Sequence, residues 1–344
     1  MKVFVTGGAG YVGSVAVEVL LNEGHEVVVF DNLERGHRKA VDKRALFIKG
    51  DIRELESVCG AVDRTGPDAV MHFAAYALVG ESMEHPEMYW RNNLSGGINV
   101  AEAMIRTGVK KIVLSSTCAT YGEPRRIPMI ETDPQEPANP YGASKLLLEK
   151  VLIWNEKVKG IKAVFMRYFN ACGATERCGE DHDPESHIIP NVLKVALGQK
   201  KKVVIHGNDY DTPDGTCIRD YIHVCDLAQA HLLALKRDFS GGVNLGTGDG
   251  YSVKQVIDTA KMITGRKIPV EIGRRRPGDP ARLVACSSKA KKVLGWKPAM
   301  PALETIIETA WKWHLAHPHG YAGLLRPGGR RKEISCQSNY AIRG

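Results

Sequence analysis

Short apolar runs alternate with longer stretches of helical periodicity through the first half of the chain. The runs are typical of buried parallel strands, because helices cover both faces of such strands. They lie at 2–6, 25–31, 46–49, 69–73, 112–115 and 163–167. Helical stretches lie between them, for example at 15–21, 93–105 and 144–155. This alternation predicts an α/β fold built on a doubly wound parallel sheet.

The pattern changes after about residue 170. Residues 171–187 are rich in Gly, Asp, Glu and Pro and are expected to form a long loop, and residues 241–250 resemble a turn region. Helical stretches lie at 193–197 and 227–235. We predict a first α/β unit over 1–170, a smaller α/β unit over 171–321 and a basic, disordered tail over 322–344. The boundary between the two units is soft, and segments are expected to be exchanged across it.

A glycine-rich loop joins the first predicted strand to the first predicted helix. Gly7, Gly10 and Gly13 follow a GxxGxxG spacing, with Tyr11 and Val12 inside it. Glycines there permit a tight turn, let the backbone approach a pyrophosphate and let the helix pack on the strand. The N-terminus of the helix presents free N–H groups to the anion. The loop therefore predicts a Rossmann-type dinucleotide site.

The ends of the next strands extend this predicted site. Asp31 ends the second strand 24 residues after Gly7, close to the offset of about 20 expected for an acid that binds the ribose. A carboxylate here favours NAD over NADP because it would repel a 2′-phosphate. Ligands bind at the carboxyl ends of the strands in open α/β sheets, so the neighbouring strand ends join the prediction. These residues are Asn32, Asp51, Ile52, Phe73, Ala74 and Ala75.

Tyr141 and Lys145 form a YxxxK pair on a predicted helix. Residues four apart share one face of a helix, and the preceding Pro140 is typical of a helix start. The ordinary pKa of tyrosine is near 10, which makes it a poor base at neutral pH. A nearby ammonium and the positive nicotinamide ring would favour the phenolate and lower that pKa. We predict that Tyr141, Lys145 and the strand-end hydroxyl of Thr117 transfer a proton at a carbinol while hydride moves to NAD.

Further motifs connect the chain with a known family. They are TGGAGYVG at 6–13, DNL at 31–33, SSTCATYGEP at 115–124, NPYGASK at 139–145, RYFNACGA at 167–174, GNDYDTPDGTCIRDYIHVCDLAQAH at 207–231, NLGTGDGYSV at 244–253, RRPGDPARLVA at 275–285 and HPHGY at 317–321. Over 1–321 the chain resembles the extended short-chain dehydrogenase/reductase family, and within it the UDP-sugar 4-epimerases. The resemblance implies tightly bound NAD, a transient 4-keto sugar and interconversion of UDP-glucose and UDP-galactose without net redox change.

The resemblance also implies roles for individual residues. Lys145 would hold the nicotinamide ribose, and Asn92 and Phe169 would lie near the cofactor. The implied substrate residues are Thr117, Tyr141, Asn170, His187, Val204, Ile205, His206, Arg219, Arg276, Asp279 and Leu283. Of these, Arg276 and Asp279 match positions for the diphosphate and the uridine ribose. A guanidinium suits diphosphate oxygens because it forms forked hydrogen bonds.

Departures from the family pattern leave the sugar open. Ala77 stands where some 4-epimerases have a lysine near the phosphates, and Leu283 stands where some relatives have a tyrosine beside the hexose. The smaller Leu283 leaves room for an N-acetyl group, so UDP-GlcNAc and UDP-GalNAc are alternative substrates. The SSTCATYGEP motif also resembles UDP-pentose 4-epimerases, and UDP-uronates are a further alternative.

Two rival classes of function fit the sequence less well. Nucleotide-sugar 4,6-dehydratases need an Asp-Glu pair directly after the strand-end threonine, where this chain has Cys118 and Ala119. A non-enzymatic NAD-sensing regulator is a remote alternative, because such binders often lack the catalytic tyrosine. The formal net charge of +8 suggests an anionic partner, but residues 326–344 carry half of it. We therefore predict no nucleic-acid partner.

Composition sets the remaining expectations. The 344 residues are 43% hydrophobic and 25% charged, which is ordinary for a globular protein, and no apolar run is long enough to predict a membrane span. The eight cysteines form no CxxC pair, so reduced thiols in the cytoplasm are expected. The spacing of Cys172, Cys178, His182 and His187 fits no common zinc site, so no metal is predicted. The resemblance implies a homodimer formed through a helical face.

Overall fold

The computed structural model describes residues 1–276 and 278–322, and the tail expected to be disordered falls almost entirely outside them. The strands of the described residues are β1 (Lys2–Thr6), β2 (Glu26–Asp31), β3 (Leu46–Lys49), β4 (Ala69–His72), β5 (Lys111–Thr117), β6 (Lys162–Tyr168), β7 (Asn170–Cys172), β8 (Val203–His206), β9 (Ile218–Arg219), β10 (Tyr221–His223), β11 (Gly241–Leu245), β12 (Tyr251–Ser252), β13 (Val270–Gly273) and β14 (Arg282–Leu283). The α-helices are α1 (Tyr11–Asn22), α2 (Leu55–Thr65), α3 (Val79–Glu84), α4 (Pro86–Tyr89), α5 (Gly96–Thr107), α6 (Pro140–Lys159), α7 (Ile188–Ala196), α8 (Val224–Lys236), α9 (Val253–Thr264), α10 (Ser288–Leu294) and α11 (Leu303–Ala316).

A seven-stranded sheet forms the centre of the first unit. Its strand order is β11-β6-β5-β4-β1-β2-β3, and every pair is parallel. The order reverses beside β1, which is the switch point where open α/β sheets bind ligands. All six strands predicted from the apolar runs are present, with ends moved by at most two residues. The predicted α/β class with a doubly wound parallel sheet is confirmed.

The strand β11 corrects one expectation. Residues 241–250 were expected to form a turn region, but Gly241–Leu245 pairs with β6 as the edge strand of the central sheet. Two glycines in five residues obscured the strand signal, because glycine is depleted in strands. The preceding helix α8 packs against α1 on the same sheet. The segment 224–245 therefore lies in the first unit although it follows residue 170 in the chain.

Apolar cores cover both faces of the central sheet. On one face, Val17 and Leu20 of α1 pack with Leu227 of α8 and with buried strand residues. On the other face, Val62 of α2 and Leu152 of α6 pack with strand residues and with α5. Burial on both faces explains why these strands read as continuous apolar runs rather than alternating ones.

The second unit contains short strands and three packed helices. α7, α9 and α11 share an apolar core with residues of β8 and β10. Strand β8 pairs with β13, while β9 lies between β12 and β14. Among the described residues, none of the helices has the length and apolar character needed to cross a membrane.

Candidate active site

A cleft of about 1410 Å³ opens at the carboxyl ends of the central strands. Both units contribute to it, so the site requires the two to be folded together. The predicted residues that line it are Gly7, Gly10, Tyr11, Val12, Asp31, Asn32, Ile52, Ala74, Ala75, Asn92, Thr117, Tyr141, Phe169, Asn170, His187, Val204, Ile205, His206, Arg219, Arg276, Asp279 and Leu283. Four predicted residues do not line it, namely Gly13, Asp51, Phe73 and Lys145.

The glycine loop shapes the dinucleotide side of the cleft. Gly7 has a φ of +72°, which favours glycine, and a Cβ at Gly13 would lie 2.2 Å from the Gly7 carbonyl oxygen. Gly13 therefore permits close packing of the helix on the loop rather than contact with a ligand. Gly10 is the N-cap of α1 and offers no side-chain acceptor to the first turn. The N–H groups of that turn are thus available to an anion.

The Asp31 carboxylate is fixed beside this loop. It accepts hydrogen bonds from the backbone N–H of Ala9 (3.0 Å) and of Leu33 (2.8 Å). Burial raises the pKa of Asp31, although both hydrogen bonds act in the opposite direction. Since two donors hold its orientation, the carboxylate is ready to accept from ribose hydroxyls.

Asp51 and Phe73 support the site rather than line it. The Asp51 carboxylate accepts from Asn32 Nδ2 at 2.9 Å and from the Arg53 guanidinium. Burial acts to raise the pKa of Asp51, but these hydrogen bonds outweigh it and lower the pKa to about 2. Phe73 packs against His231, with ring centroids 4.8 Å apart. Both residues hold strand ends in place behind the cleft.

Tyr141 lies in the first turn of α6. The Asn139 side chain caps that helix by accepting from Gly142 N at 2.9 Å, and Pro140 occupies the first turn. Burial raises the pKa of Tyr141 well above its ordinary value, and a hydrogen bond with Thr117 acts in the opposite direction. The expectation of a lowered pKa is therefore not met by the protein alone. It depends on the positive charge that a bound nicotinamide ring would add.

Lys145 lies one turn further along α6 and is only 2% exposed. Its ammonium donates to the carbonyl oxygen of Ser115 at 2.9 Å, at the end of β5. Burial lowers the pKa of Lys145 to about 8, while the Glu149 carboxylate acts in the opposite direction. The ammonium thus lies behind the cleft wall, and Lys145 does not line the cleft that Tyr141 lines.

Of the three hydroxyls that end β5, only Thr117 lines the cleft. The Ser115 hydroxyl lies 2.6 Å from the Tyr168 hydroxyl, and Ser116 donates to buried Glu149. Thr117 Oγ1 accepts from Ala119 N at 3.1 Å and keeps its own proton to donate. The thiol of Cys118 stays protonated, because burial raises its pKa to about 12. Of these three hydroxyls, that of Thr117 is therefore the one that a ligand in the cleft can reach.

The second unit supplies the other wall of the cleft. Arg219 donates to the Asp279 carboxylate and, at 2.7 Å, to the carbonyl oxygen of Ile218. Burial acts to lower the pKa of Arg219, but nearby Cys217 and Asp279 outweigh it and raise that pKa. Arg276 is exposed on the same wall. Leu283 pairs with Arg219 across β14 and β9 and packs in a cluster with Phe169.

Sequence reasoning missed several residues that the fold brings to this wall. Glu180, His182 and Glu185 join His187 in one cluster, and Tyr168 also lines the cleft. Burial acts to lower the pKa of both histidines, but the two carboxylates outweigh it and raise the pKa to about 9 for His182 and about 10 for His187. The spacing E-x-H-x-x-E-x-H at 180–187 was the available signal. The sequence prediction grouped His182 and His187 with Cys172 and Cys178 and did not include the two glutamates.

These features are those of a dinucleotide-binding α/β protein whose cleft also contains Tyr141 and the strand-end residue Thr117. The family model described as "NAD dependent epimerase/dehydratase family" matches residues 3–246. The chain belongs to this family, which confirms the resemblance drawn from the motifs.

Curated and solved relatives extend the likeness over nearly the whole chain. The chain is 52% identical over 328 residues to the UDP-glucose 4-epimerase of Halalkalibacterium halodurans, covering 94% of this chain and 98% of that protein. It resembles the UDP-glucose 4-epimerase of Brucella ovis solved with NAD, with TM-score 0.87, 43% identity and coverage of 93% and 98% of the two chains. For the Bifidobacterium longum UDP-glucose 4-epimerase solved with NAD+ and UDP, the TM-score is 0.89, with 37% identity and coverage of 93% and 100%.

Proposed function

We propose that this protein is an NAD-dependent isomerase that interconverts UDP-glucose and UDP-galactose. The observation that carries the proposal is one cleft shared by the glycine loop, Tyr141 with Thr117, and Arg219 with Arg276. A dinucleotide, a reacting hydroxyl and a diphosphate each have a matching set of side chains there. Relatives of the same family and length are UDP-glucose 4-epimerases.

The residues present fit NAD. The uncapped first turn of α1 offers N–H groups to a pyrophosphate, and the fixed Asp31 carboxylate offers acceptors to a ribose. The same carboxylate would lie against a 2′-phosphate, so NAD is favoured over NADP. When bound, NAD would supply a nicotinamide ring that accepts a hydride from carbon 4 of the sugar and returns it.

The chain's own residues move the proton of the sugar 4-hydroxyl. Tyr141 takes that proton as the 4-keto sugar forms and gives it back when the hydroxyl is restored, and the Thr117 hydroxyl holds the same oxygen. Lys145 stabilises the phenolate through its buried positive charge; the ribose contact implied by the resemblance does not fit an ammonium that donates to Ser115 behind the cleft wall. Asn92 and Phe169 line the cofactor side, and both are buried.

The wall of the second unit binds the nucleotide part of the substrate. Arg219 and Arg276 bind the diphosphate through charge-assisted hydrogen bonds, and Asp279 accepts from the uridine ribose. The end of β8, with Val204, Ile205 and His206, contacts the uracil, while Asn170 and His187 contact the sugar side. Arg219 and Asp279 form an ion pair in the structure. A bound diphosphate therefore competes with Asp279 for the Arg219 guanidinium.

Leu283 favours a second candidate substrate class. Its side chain packs beside Phe169 in the cleft wall, where a larger aromatic residue would take up space next to the hexose. UDP-linked N-acetylhexosamines are therefore proposed as further substrates of this cleft.

We further propose a cytoplasmic homodimer. Exposed apolar side chains gather on two helices of the first unit, namely Ile98 on α5 and Leu147, Ile153, Trp154 and Val158 on α6. Leu147, Trp154 and Val158 lie on one face of α6 because they are spaced by seven and four residues. The described cysteines are free thiols, which fits a reducing compartment.

The decisive experiment is a substrate panel with product chromatography. UDP-galactose, UDP-GalNAc, UDP-arabinose and UDP-galacturonate are each incubated with purified holoenzyme. We expect UDP-galactose to give UDP-glucose, and absorbance of a reduced bound nicotinamide to appear when UDP-hexose is added. Absence of any 4-epimer from UDP-galactose would refute the proposed activity.

A further inference from the structure

Four side chains of the second unit bring their ligand atoms together in the cleft wall. Glu180, His182, Glu185 and His187 each place one oxygen or nitrogen atom within 4.8 Å of the other three. The His187 Nδ1 atom lies 3.0 Å from Glu180 Oε1 and 2.9 Å from Glu185 Oε1. The His182 Nδ1 atom lies 3.3 Å from Glu180 Oε1 and 3.7 Å from Glu185 Oε2.

These separations are close to those around a tetrahedral metal ion. With metal–ligand bonds of about 2.0–2.1 Å, neighbouring ligand atoms lie about 3.4 Å apart. Of the four contacts above, those of 2.9, 3.0 and 3.3 Å are shorter than this distance and that of 3.7 Å is longer. Glu185 meets the two histidines through different oxygens, so side-chain movement must bring the four ligand atoms, now within 4.8 Å of one another, around one ion.

Hydrogen bonding alone does not satisfy the cluster. The single His187 Nδ1 proton faces two acceptors, Glu185 Oε1 at 2.9 Å and Glu180 Oε1 at 3.0 Å, and is divided between them. Among the residues that the structure describes, the buried atoms His182 Nδ1 and Glu185 Oε2 find no hydrogen-bond partner. The Glu185 side chain is only 3% exposed. Buried polar atoms without partners are uncommon and are costly in free energy.

The chemistry of the donors selects the ion. Imidazole nitrogens with carboxylate oxygens are ligands for Zn²⁺ and similar divalent transition metals. Mg²⁺ and Ca²⁺ prefer oxygen ligands throughout. We propose that Glu180, His182, Glu185 and His187 form a site for a divalent transition metal of the Zn²⁺ type. No metal is predicted from the sequence, because the spacing of the two histidines with Cys172 and Cys178 fits no common zinc site.

The position of the site gives it a structural role in the cleft. His187 is the N-cap residue of α7, and the His182 ring packs edge-on against Tyr11 at the start of α1, with centroids 6.1 Å apart. A metal ion would therefore fix the segment 180–187 between the wall of the second unit and the dinucleotide loop. Coordination through Nδ1 would release the proton that His187 carries there to solvent and leave Nε2 of His187 available to the substrate.

The test uses untagged holoenzyme treated with a chelator and then titrated with Co²⁺ and with Zn²⁺. We expect one Zn²⁺ per chain by equilibrium dialysis, and the intense visible absorption of tetrahedral Co²⁺. Glu185→Gln and His182→Gln should each weaken Zn²⁺ binding at least 10-fold. The readout is metal binding, so it is independent of whether the proposed epimerase activity is correct.

The matched control is His85→Gln, which removes an exposed histidine whose Nδ1 lies 3.9 Å from a Glu87 carboxylate oxygen. This variant should bind Zn²⁺ as the unchanged protein does. Circular dichroism of each variant checks its folding. The titration of the unchanged protein tests the proposal even where a variant fails to fold. Absence of tetrahedral Co²⁺ absorption, or Zn²⁺ binding that both cluster variants leave unchanged, would overturn the proposal.

Discussion

The buried ammonium of Lys145 donates a 2.9 Å hydrogen bond to the carbonyl oxygen of Ser115. This contact joins α6 to the end of β5 and so ties the helix of Tyr141 to the strand of Thr117. The two residues proposed to act on the sugar hydroxyl thus have a common rigid support. Such support matters because small displacements of catalytic groups reduce turnover strongly.

Replacement of Tyr141 by phenylalanine tests the proton-transfer assignment. Tyr141→Phe removes only the hydroxyl, so the chain should fold and keep NAD while turnover falls by about 10²–10⁴-fold. Steady-state rates and the NAD content of the purified variant check this. The control is Tyr89→Phe, since the Tyr89 ring lies 6.3 Å from that of Tyr141 while its hydroxyl donates to Leu78 and Glu81. Near-normal turnover in Tyr141→Phe would rule out this base.

The lowered pKa of Lys145 predicts a change in stability with pH. Its folded-state pKa of about 8 is below the ordinary value of 10.5, so between these pH values the unfolded chain binds the proton and the folded chain does not. The free energy of unfolding should therefore rise with pH in this window, by roughly 3 kcal/mol at full effect. Urea unfolding of NAD-free protein at about pH 7.5 and at about pH 10.5 measures this change in the free energy of unfolding. In Lys145→Met this contribution should be missing, and an equal pH response in both proteins would contradict the prediction.

Asp31 is expected to set the choice between NAD and NADP. Asp31→Asn removes the charge that accepts from the ribose and repels a 2′-phosphate, so NAD binding should weaken about 10-fold or more while NADP binding improves relative to it. Calorimetric titration of both coenzymes provides the ratio. Asp42→Asn is the control, because Asp42 is a mostly buried carboxylate that pairs with Arg44 and does not line the cleft. An unchanged ratio in Asp31→Asn would exclude the assigned role.

Leu283 is expected to decide which hexoses fit. Leu283→Tyr fills space in the cleft wall, so turnover of UDP-GalNAc should fall at least several-fold more than turnover of UDP-galactose. The ratio of kcat/KM for the two substrates measures the effect, and Leu283→Met serves as the volume-conserving control. Equal losses for both substrates would contradict the space argument.

The exposed apolar face of α6 is expected to form the dimer contact. Trp154 is 64% exposed, and Trp154→Glu places a charge that a buried interface would not tolerate. Light scattering after gel filtration should then report a monomer. Met262→Glu on α9 is the matched control, since Met262 is 67% exposed and should leave the dimer intact. A dimer in both variants would place the contact elsewhere.

The sequence alone determined the elements whose signals are local. The glycine spacing around Gly10, the apolar runs of the first six strands and the YxxxK pair each depend on neighbouring residues. They predicted the sheet, the dinucleotide site and the helix of Tyr141. The side-chain roles at the substrate end came from family resemblance and stay predictions, of which the Leu283 variants test one.

Tertiary structure decided what depends on distant pairing. The glycine-rich segment 241–245 becomes a strand only because β6 offers it an unpaired edge. The Lys145 ammonium lies out of the cleft because Ser115, 30 residues away in the chain, supplies its acceptor. Burial of Tyr141 raises its pKa before any ligand binds. Local sequence carries no record of these effects, because desolvation and hydrogen bonding are set by which distant residues the folded chain brings together.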